Sequence, residues 1–154
     1  FYGFPRVEIT GGEPLLQDET PQLISSLLDR GYEVLLETNG SRDIAPVDTR
    51  CVRVVDIKCP GSGEQGSFLE SNIDSLTPAD EIKFVIGSRE DYRYACFALE
   101  RLRRRSVQSR VHFSPVFSRL SAADLAEWML QDRIDVHLGL QLHKHIWGEH
   151  ARGV

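Results

Sequence analysis

The segment 7–16 contains the residues whose types and spacing best suit the binding of a polar ligand. A short β-branched and aliphatic run ends at Gly11 and Gly12, and a carboxylate, Glu13, follows directly. Glycines expose backbone N–H and C=O groups to a ligand because they carry no Cβ. A carboxylate beside such a turn suits an ammonium group, although paired glycines more often form an ordinary tight turn.

Polar side chains also follow, or lie near, the ends of the other predicted strands. In parallel α/β sheets and barrels, ligands bind at the carboxyl edge of the strands, where the loops converge. We therefore expect one shared site, although Asn39-Gly40 alone would read as a turn and Asp56 with Lys58 as an ion pair. The polar groups at this edge belong to Thr10, Gly12, Glu13, Glu37, Thr38, Asn39, Asp56, Lys58, Lys83, Ser114, Gln141, His143 and Lys144.

Two of these residues, Lys58 and Lys83, lie within or beside strands of otherwise buried character. An unpaired ammonium group in such surroundings is strongly unfavourable. We therefore expect anionic partners, either Glu13, Glu37 and Asp56 on neighbouring strands or a ligand carboxylate. No Ser-His-Asp spacing, phosphate-binding Gly-x-x-x-x-Gly-Lys loop or His-rich metal motif occurs, which argues against hydrolases and nucleotide triphosphatases.

The elements that must position these residues alternate between short strands and amphipathic helices, which is the pattern of repeated βαβ units with a mainly parallel sheet. Thr20 is expected to cap the first helix, with Pro21 at its first position and Gly31 at its end. A long helix is expected before the arginine cluster at 101–105, and a third helix after the cap at Ser121. The predicted strands are 6–10, 33–37, 52–57, 81–86, 110–113 and 136–142.

Length and composition predict a single α/β domain over residues 1–154, with 41% hydrophobic residues. A net charge of -5 argues against a nucleic-acid partner. No apolar run has the length of a membrane span and no signal peptide pattern opens the chain, so we expect a cytoplasmic protein without a membrane partner. The chain begins with Phe1 close before a buried strand, and we expect that an N-terminal strand is missing.

Six segments carry a recognisable set of motifs in order: 9–17 (ITGGEPLLQ), 37–40 (ETNG), 56–63 (DIKCPGSG), 81–86 (EIKFVI), 113–116 (FSPV) and 141–144 (QLHK). Together they resemble the 7-carboxy-7-deazaguanine synthases, a family of radical S-adenosylmethionine (SAM) enzymes of queuosine and other deazapurine biosynthesis. The first motif marks the wider radical SAM family, whereas the third and sixth point to the synthases. The resemblance spans nearly the whole chain.

The resemblance implies a partial (β/α) barrel of the radical SAM type that binds SAM against a 4Fe-4S cluster. It implies conversion of 6-carboxy-5,6,7,8-tetrahydropterin to 7-carboxy-7-deazaguanine with release of ammonia, assisted by magnesium and an electron donor such as flavodoxin. The implied SAM-binding residues are Gly11, Gly12 and Glu13 at the amino group, Asp56 and Lys58 at the ribose and carboxylate, and Ser114, Pro115 and Val116 near the adenine. The implied pterin-binding residues are Thr10, Gly12, Gln141 and His143.

The chain departs from the family at the cluster. The family's cluster is held by a Cys-x-x-x-Cys-x-x-Cys loop before the Gly-Gly-Glu-Pro segment, and this sequence starts after that point. Cys51, Cys59 and Cys96 are too widely spaced to hold one cluster, a zinc ion or a disulfide framework. We therefore expect this chain to contain no catalytic or metal-binding residue and to be inactive as written.

Two other interpretations stay open at this point. One is a different radical SAM enzyme of the type that makes a glycyl radical on a partner protein, and the other is a non-catalytic SAM-binding module. If a strand is missing beside 6–10, the exposed sheet edge there favours association, and a homodimer is expected on that ground.

Overall fold

A computed structural model of the protein describes residues 3–64 and 66–148. Six parallel strands form one sheet in the order in which they occur along the chain, and the sheet is not closed. Right-handed crossovers between successive neighbours place the helices on one face of such a sheet, which is the arrangement of an open (β/α) barrel. The predicted fold class is therefore confirmed. The strands are Arg6–Ile9 (β1), Glu33–Thr38 (β2), Val52–Asp56 (β3), Glu81–Ile86 (β4), Arg110–Pro115 (β5) and His137–Leu138 (β6).

Strand β4 illustrates how the sequence separates the two faces of the sheet. Ile82, Phe84 and Ile86 are fully buried, whereas Glu81 and Lys83 on the opposite face stay partly exposed. Successive side chains of a strand point to opposite faces, so the alternation gives one apolar face and one polar face. The helices cover the apolar face, and the polar face is free to accept a ligand.

The helices are Thr20–Asp29 (α1), Arg89–Arg104 (α2), Ala122–Gln131 (α3) and Leu142–Trp147 (α4). Ser88 and Ser121 cap α2 and α3 by accepting hydrogen bonds from the backbone N–H groups of Asp91 and Asp124. Three arginines occupy the last turn of α2, as expected from the helix dipole. No helix in the described ranges is long and apolar enough to cross a membrane.

The expected cap at Thr20 is wrong. Thr20 is the first residue of α1, and its hydroxyl donates to the carbonyl of Pro14 at 2.7 Å instead of accepting a bond from the helix. The predicted end of α1 is confirmed, because Gly31 adopts a φ of 84° and donates to the carbonyl of Leu28.

Two clusters of buried side chains form the core. The larger one contains Phe84, Tyr92 and Phe113, whose rings meet edge to face with centroids 5.6 and 6.0 Å apart. The smaller one contains Ile24 of α1 and Leu36 of β2. The core therefore holds the strands in register from the helix-covered side and leaves the polar face unobstructed.

A buried ion pair lies within this core. Arg53 of β3 and Asp80 before β4 are 1% and 0% exposed, with guanidinium and carboxylate joined by bonds of 3.0 and 2.5 Å. Thr77 donates to the same carboxylate through its N–H and its hydroxyl, at 2.7 and 2.9 Å. The pair is fully hydrogen-bonded, which is the condition under which buried charges are tolerated.

The predicted last strand, 136–142, is largely wrong. Only His137–Leu138 pairs with β5, and the N–H of Gly139 makes one further bond to the carbonyl of Phe113 at 2.9 Å. The chain then turns, and Leu142–Trp147 forms α4 with Gln141 at its N-cap position. Gln141 and His143 therefore do not share a strand face.

Candidate functional site

A cleft of about 400 Å³ opens at the carboxyl ends of β1 to β4, on the polar face of the sheet. Four loops or strand ends converge there because the strands are parallel and adjacent. The cleft brings together five of the residues that the family resemblance assigns to SAM or the pterin. Its lining residues are Thr10, Gly11, Gly12, Glu37, Thr38, Asn39, Val54, Asp56, Lys58 and Lys83.

The turn after β1 is shaped by its two glycines. Gly11 adopts a φ of 145°, which disfavours any residue with a side chain, and nothing lies within 4 Å of a Cβ built on Gly11 or Gly12. Both residues are exposed and line the cleft. Their backbone groups are therefore open to a ligand.

Glu13 uses its carboxylate to hold two loops together. One oxygen accepts from the Asn39 N–H at 2.8 Å and the other from the Leu15 N–H at 3.0 Å, while the Thr38 hydroxyl lies 2.9 Å from both. Glu13 is not among the residues that line the cleft. In this structure, its carboxylate is occupied by the protein itself.

The loop after β2 has a buried anchor that the sequence did not reveal. The side-chain amide of Asn72 donates to the carbonyls of Gly40 and Arg42 at 2.9 and 2.8 Å, and its oxygen accepts from the Ile44 N–H at 3.1 Å. Gly40 has a φ of 67°, and a Cβ there would lie 2.5 Å from the Phe68 ring. No local pattern marks Asn72, since its partners lie about 30 residues away along the chain.

Asp56 and Lys58 form the ion pair that the sequence offered as one alternative. Lys58 Nζ lies 2.9 Å from Asp56 Oδ2, and both side chains are about one quarter exposed. The second carboxylate oxygen, Asp56 Oδ1, is buried and has no hydrogen-bond partner among the described residues. A buried acceptor without a partner is unusual, and here it belongs to a residue that lines the cleft.

The loop after β3 is tied to the end of β4 by Asp91. Its carboxylate accepts from the N–H groups of Gly61 and Gly87 at 2.7 and 2.9 Å, and Asp91 is 2% exposed. A Cβ on Gly61 would lie 2.7 Å from this carboxylate, so the close approach requires glycine. Sequence reasoning missed Asp91, although an acid in the first turn of a helix was a weak signal.

The residues predicted near the adenine and the pterin are divided between two places. Pro115 and Gln141 line a separate, mainly apolar cavity of about 580 Å³ beside β5, with Phe117 and Leu140. Ser114 is buried, and a Cβ on Gly139 would lie 2.5 Å from its hydroxyl oxygen. Val116 donates its N–H to the carbonyl of Ile86 at 2.8 Å. The side chain of His143 lies outside the described part of the structure.

The three cysteines do not fit an iron–sulfur cluster. Burial raises the pKa of the Cys51 thiol to about 11, and burial together with the carboxylates of Asp91 and Asp56 raises the pKa of Cys59 to about 12. Protonated thiols are poor metal ligands. Over residues 3–64 and 66–148 the structure contains no group of three or more His, Cys, Asp or Glu side chains able to hold a metal ion.

No family model matches the chain. A 7-carboxy-7-deazaguanine synthase of Koribacter versatilis is 47% identical over 164 residues, covering 96% of this chain and 71% of that protein. This chain belongs to the 7-carboxy-7-deazaguanine synthase family. Synthases of Chlorobaculum tepidum and Clostridium acetobutylicum are 43% and 36% identical, covering 97% and 99% of this chain and 69% and 71% of their own lengths.

A solved structure supports the fold of this family member. Streptococcus suis SuiB bound to S-adenosylmethionine superposes with a TM-score of 0.58, at 11% sequence identity, over 88% of this chain and 38% of that one. At this identity the likeness concerns the fold alone. The open barrel of this synthase-family chain is thus shared with a protein that was crystallised with SAM.

Proposed function

We propose that this chain contributes to the synthase reaction, the conversion of 6-carboxy-5,6,7,8-tetrahydropterin to 7-carboxy-7-deazaguanine with release of ammonia, in the biosynthesis of queuosine or other deazapurines. One observation carries the proposal. Residues from three separate motifs, after β1, β2 and β3, line a single cleft at the carboxyl edge of the sheet. The convergence of these motifs on one cleft is what a shared ligand site requires.

The cleft offers groups that suit SAM. The open backbone of Gly11 and Gly12 would accept from the amino group of SAM, and the unpartnered Oδ1 of Asp56 would accept from a ribose hydroxyl. Lys58 would orient Asp56 through their ion pair and contact the SAM carboxylate from the same position. Glu13 would reach the amino group only by giving up part of its contacts with the loop after β2, so we assign it chiefly to ordering that loop.

The remaining family residues complete the proposed site. Ser114, Pro115 and Val116 would border the adenine from β5, and Thr10 and Gly12 would face the pterin from the turn after β1. Gln141 and His143 would approach the pterin from the start of α4, since β6 ends at Leu138. Together these side chains would hold the pterin beside bound SAM.

Several further features remain proposals that rest on the family. These are the 4Fe-4S cluster, the magnesium ion, an electron donor such as flavodoxin, a homodimer and a cytoplasmic location. The cluster finds no ligands among the described residues, so we derive no step that passes through it.

The decisive experiment uses the full-length protein, purified and assayed without oxygen with SAM, a chemical reductant and 6-carboxy-5,6,7,8-tetrahydropterin. We expect 7-carboxy-7-deazaguanine by mass spectrometry, with ammonia in equal amount. SAM binding without any product would favour a non-catalytic SAM-binding module. Formation of a glycyl radical on an added partner protein, with no deazaguanine product, would favour an activase.

A further inference from the structure

The cleft contains a second cation, Lys83 in the middle of β4, to which no role has been assigned. Its side chain is 25% exposed and lines the cleft. The nearest described carboxylate is that of Glu37, with Oε1 3.6 Å from Lys83 Nζ, which is longer than a hydrogen bond. Lys58, by contrast, has a carboxylate oxygen at 2.9 Å.

The carboxylates next to Lys83 already have other partners. Glu37 also accepts from the Thr10 hydroxyl at 3.2 Å, and Asp56, opposite Lys83 in the register of the sheet, is paired with Lys58. On the other side, His112 lies opposite Lys83, and its Nε2 is 3.2 Å from Glu81. Burial lowers the pKa of His112 despite the nearby Glu81 carboxylate, so this imidazole does not compete with Lys83 for an anion near neutral pH.

Lys83 lies deep in the cleft, so a bound ligand changes the surroundings of its ammonium group. Lys83 lies three residues before the end of β4, roughly 10 Å below the rim at the usual rise per residue of a strand. A ligand that reaches this floor removes water from the ammonium group, which is costly unless the ligand brings an acceptor. A carboxylate would exchange the long contact with Glu37 for a direct charge-assisted hydrogen bond.

We propose that Lys83 binds a carboxylate of the ligand that occupies this cleft. The proposal rests on the proposed function, under which two molecules carry such a group, namely SAM and the 6-carboxypterin. Lys83 acts only as a binding residue and exchanges no proton with the ligand.

The test is equilibrium binding by calorimetry with the full-length protein, using four probes in two matched pairs. SAM is compared with decarboxylated SAM, and 6-carboxy-5,6,7,8-tetrahydropterin is compared with its neutral 6-carboxamide. Each pair is measured on the wild type, on Lys83→Met and on Lys83→Arg. Arg6→Met serves as the matched control. Arg6 is a cation paired with Glu33 at 2.7 Å, and it lies at the amino end of β1, whereas the cleft lies at the carboxyl ends of the strands.

We expect Lys83→Met to weaken binding of one carboxylate ligand by about tenfold or more, the loss expected for one charge-assisted hydrogen bond. The same variant should lose most of its discrimination between that ligand and the matched probe that lacks the carboxylate, because the two changes remove the same contact. Lys83→Arg should restore part of the affinity, and Arg6→Met should leave it unchanged. The pair that loses its discrimination identifies the ligand.

Two results would overturn the inference, and they differ from failure of the proposed function. The inference is wrong if Lys83→Met binds both SAM and the pterin with affinities within twofold of wild type. It is also wrong if the variant still distinguishes each ligand from its probe without the carboxylate as well as the wild type does. If Lys83→Met does not fold by circular dichroism, Lys83→Gln takes its place in the same comparison. A wild-type protein that binds neither SAM nor the pterin would instead refute the proposed function, and the inference with it.

Discussion

At the scale of single residues, Asp56 combines an ion pair with an unpartnered oxygen. The ion pair with Lys58 uses Oδ2, so Oδ1 is available to a ligand. We expect Asp56→Ala to lower SAM affinity by roughly tenfold to a hundredfold, as for loss of a charge-assisted contact of about 1.5–3 kcal/mol. Calorimetry provides the measurement, with Lys58→Ala as the comparison, which should lose less because its charge is already paired.

A Lys58→Ala variant that lost as much SAM affinity as Asp56→Ala would contradict this assignment. It would mean that Lys58 leaves Asp56 when SAM binds and pairs with the SAM carboxylate alone.

Asp80 stabilises the folded protein through its buried ion pair with Arg53. Its removal would leave Arg53 charged and without its partner in the core, at 1% exposure. We expect Asp80→Ala to lower the free energy of unfolding by about 3–5 kcal/mol, measured by urea denaturation. Asp74→Ala is the control, since the ion pair of Asp74 with Arg105 is exposed and should contribute less than about 1 kcal/mol. A loss of similar size in both variants would contradict the prediction.

The same carboxyl group predicts a dependence of stability on pH. Burial alone would raise the pKa of Asp80, but hydrogen bonds from Arg53 and Thr77 outweigh it and lower the pKa below its ordinary value of 3.8. A lowered pKa stabilises the folded state above the unfolded-state pKa, and this stability is lost as pH falls through the folded-state pKa. The free energy of unfolding of the wild type should therefore fall below about pH 4. In Asp80→Ala this decline should be smaller, and an equal decline would contradict the assignment.

At the scale of elements, Asp91 joins the start of α2 to the loop after β3. Asp91→Ala would leave the N–H groups of Gly61 and Gly87 without their acceptor, at a cost of roughly 2 kcal/mol or more. We expect faster hydrogen exchange at these two amides and weaker SAM binding, because the loop that follows Lys58 loses its anchor. Exposed Glu90, the preceding residue, provides the control variant Glu90→Ala.

Unchanged exchange at Gly61 in Asp91→Ala would show that the loop is held by other contacts. A loss of SAM affinity with unchanged exchange would point instead to an electrostatic effect of the carboxylate on the cleft.

At the scale of the whole molecule, the 154-residue chain is expected to hold no stoichiometric 4Fe-4S cluster when it is reconstituted without oxygen. The three cysteines are buried or half-buried, and burial raises the pKa of each thiol. Iron analysis and visible absorption provide the measurement. A variant with all three cysteines changed to serine is the control and should bind the same background amount of iron. Four irons per chain that disappear in this variant would contradict the prediction.

The amino-acid sequence by itself determined the α/β class, five of the six strands, the end of α1, the cap of α3 and the edge at which the candidate site lies. These features depend on local periodicity and on helix caps, and each of these is determined by a few neighbouring residues. The motif resemblance likewise predicted the family from residues read in order, and the relatives confirmed it.

Only the tertiary structure decided which groups face one another across the sheet. The carboxylate of Glu13 binds Thr38, Asn72 anchors the loop after β2, Asp91 holds Gly61, and Lys83 meets Glu37 only at 3.6 Å. The members of each pair are about 25 to 45 residues apart along the chain, and strand register and loop paths bring them together. The segment 136–142 differs from its prediction for a related reason, since a short apolar segment suits a strand or a helix equally well until its neighbours determine which one forms.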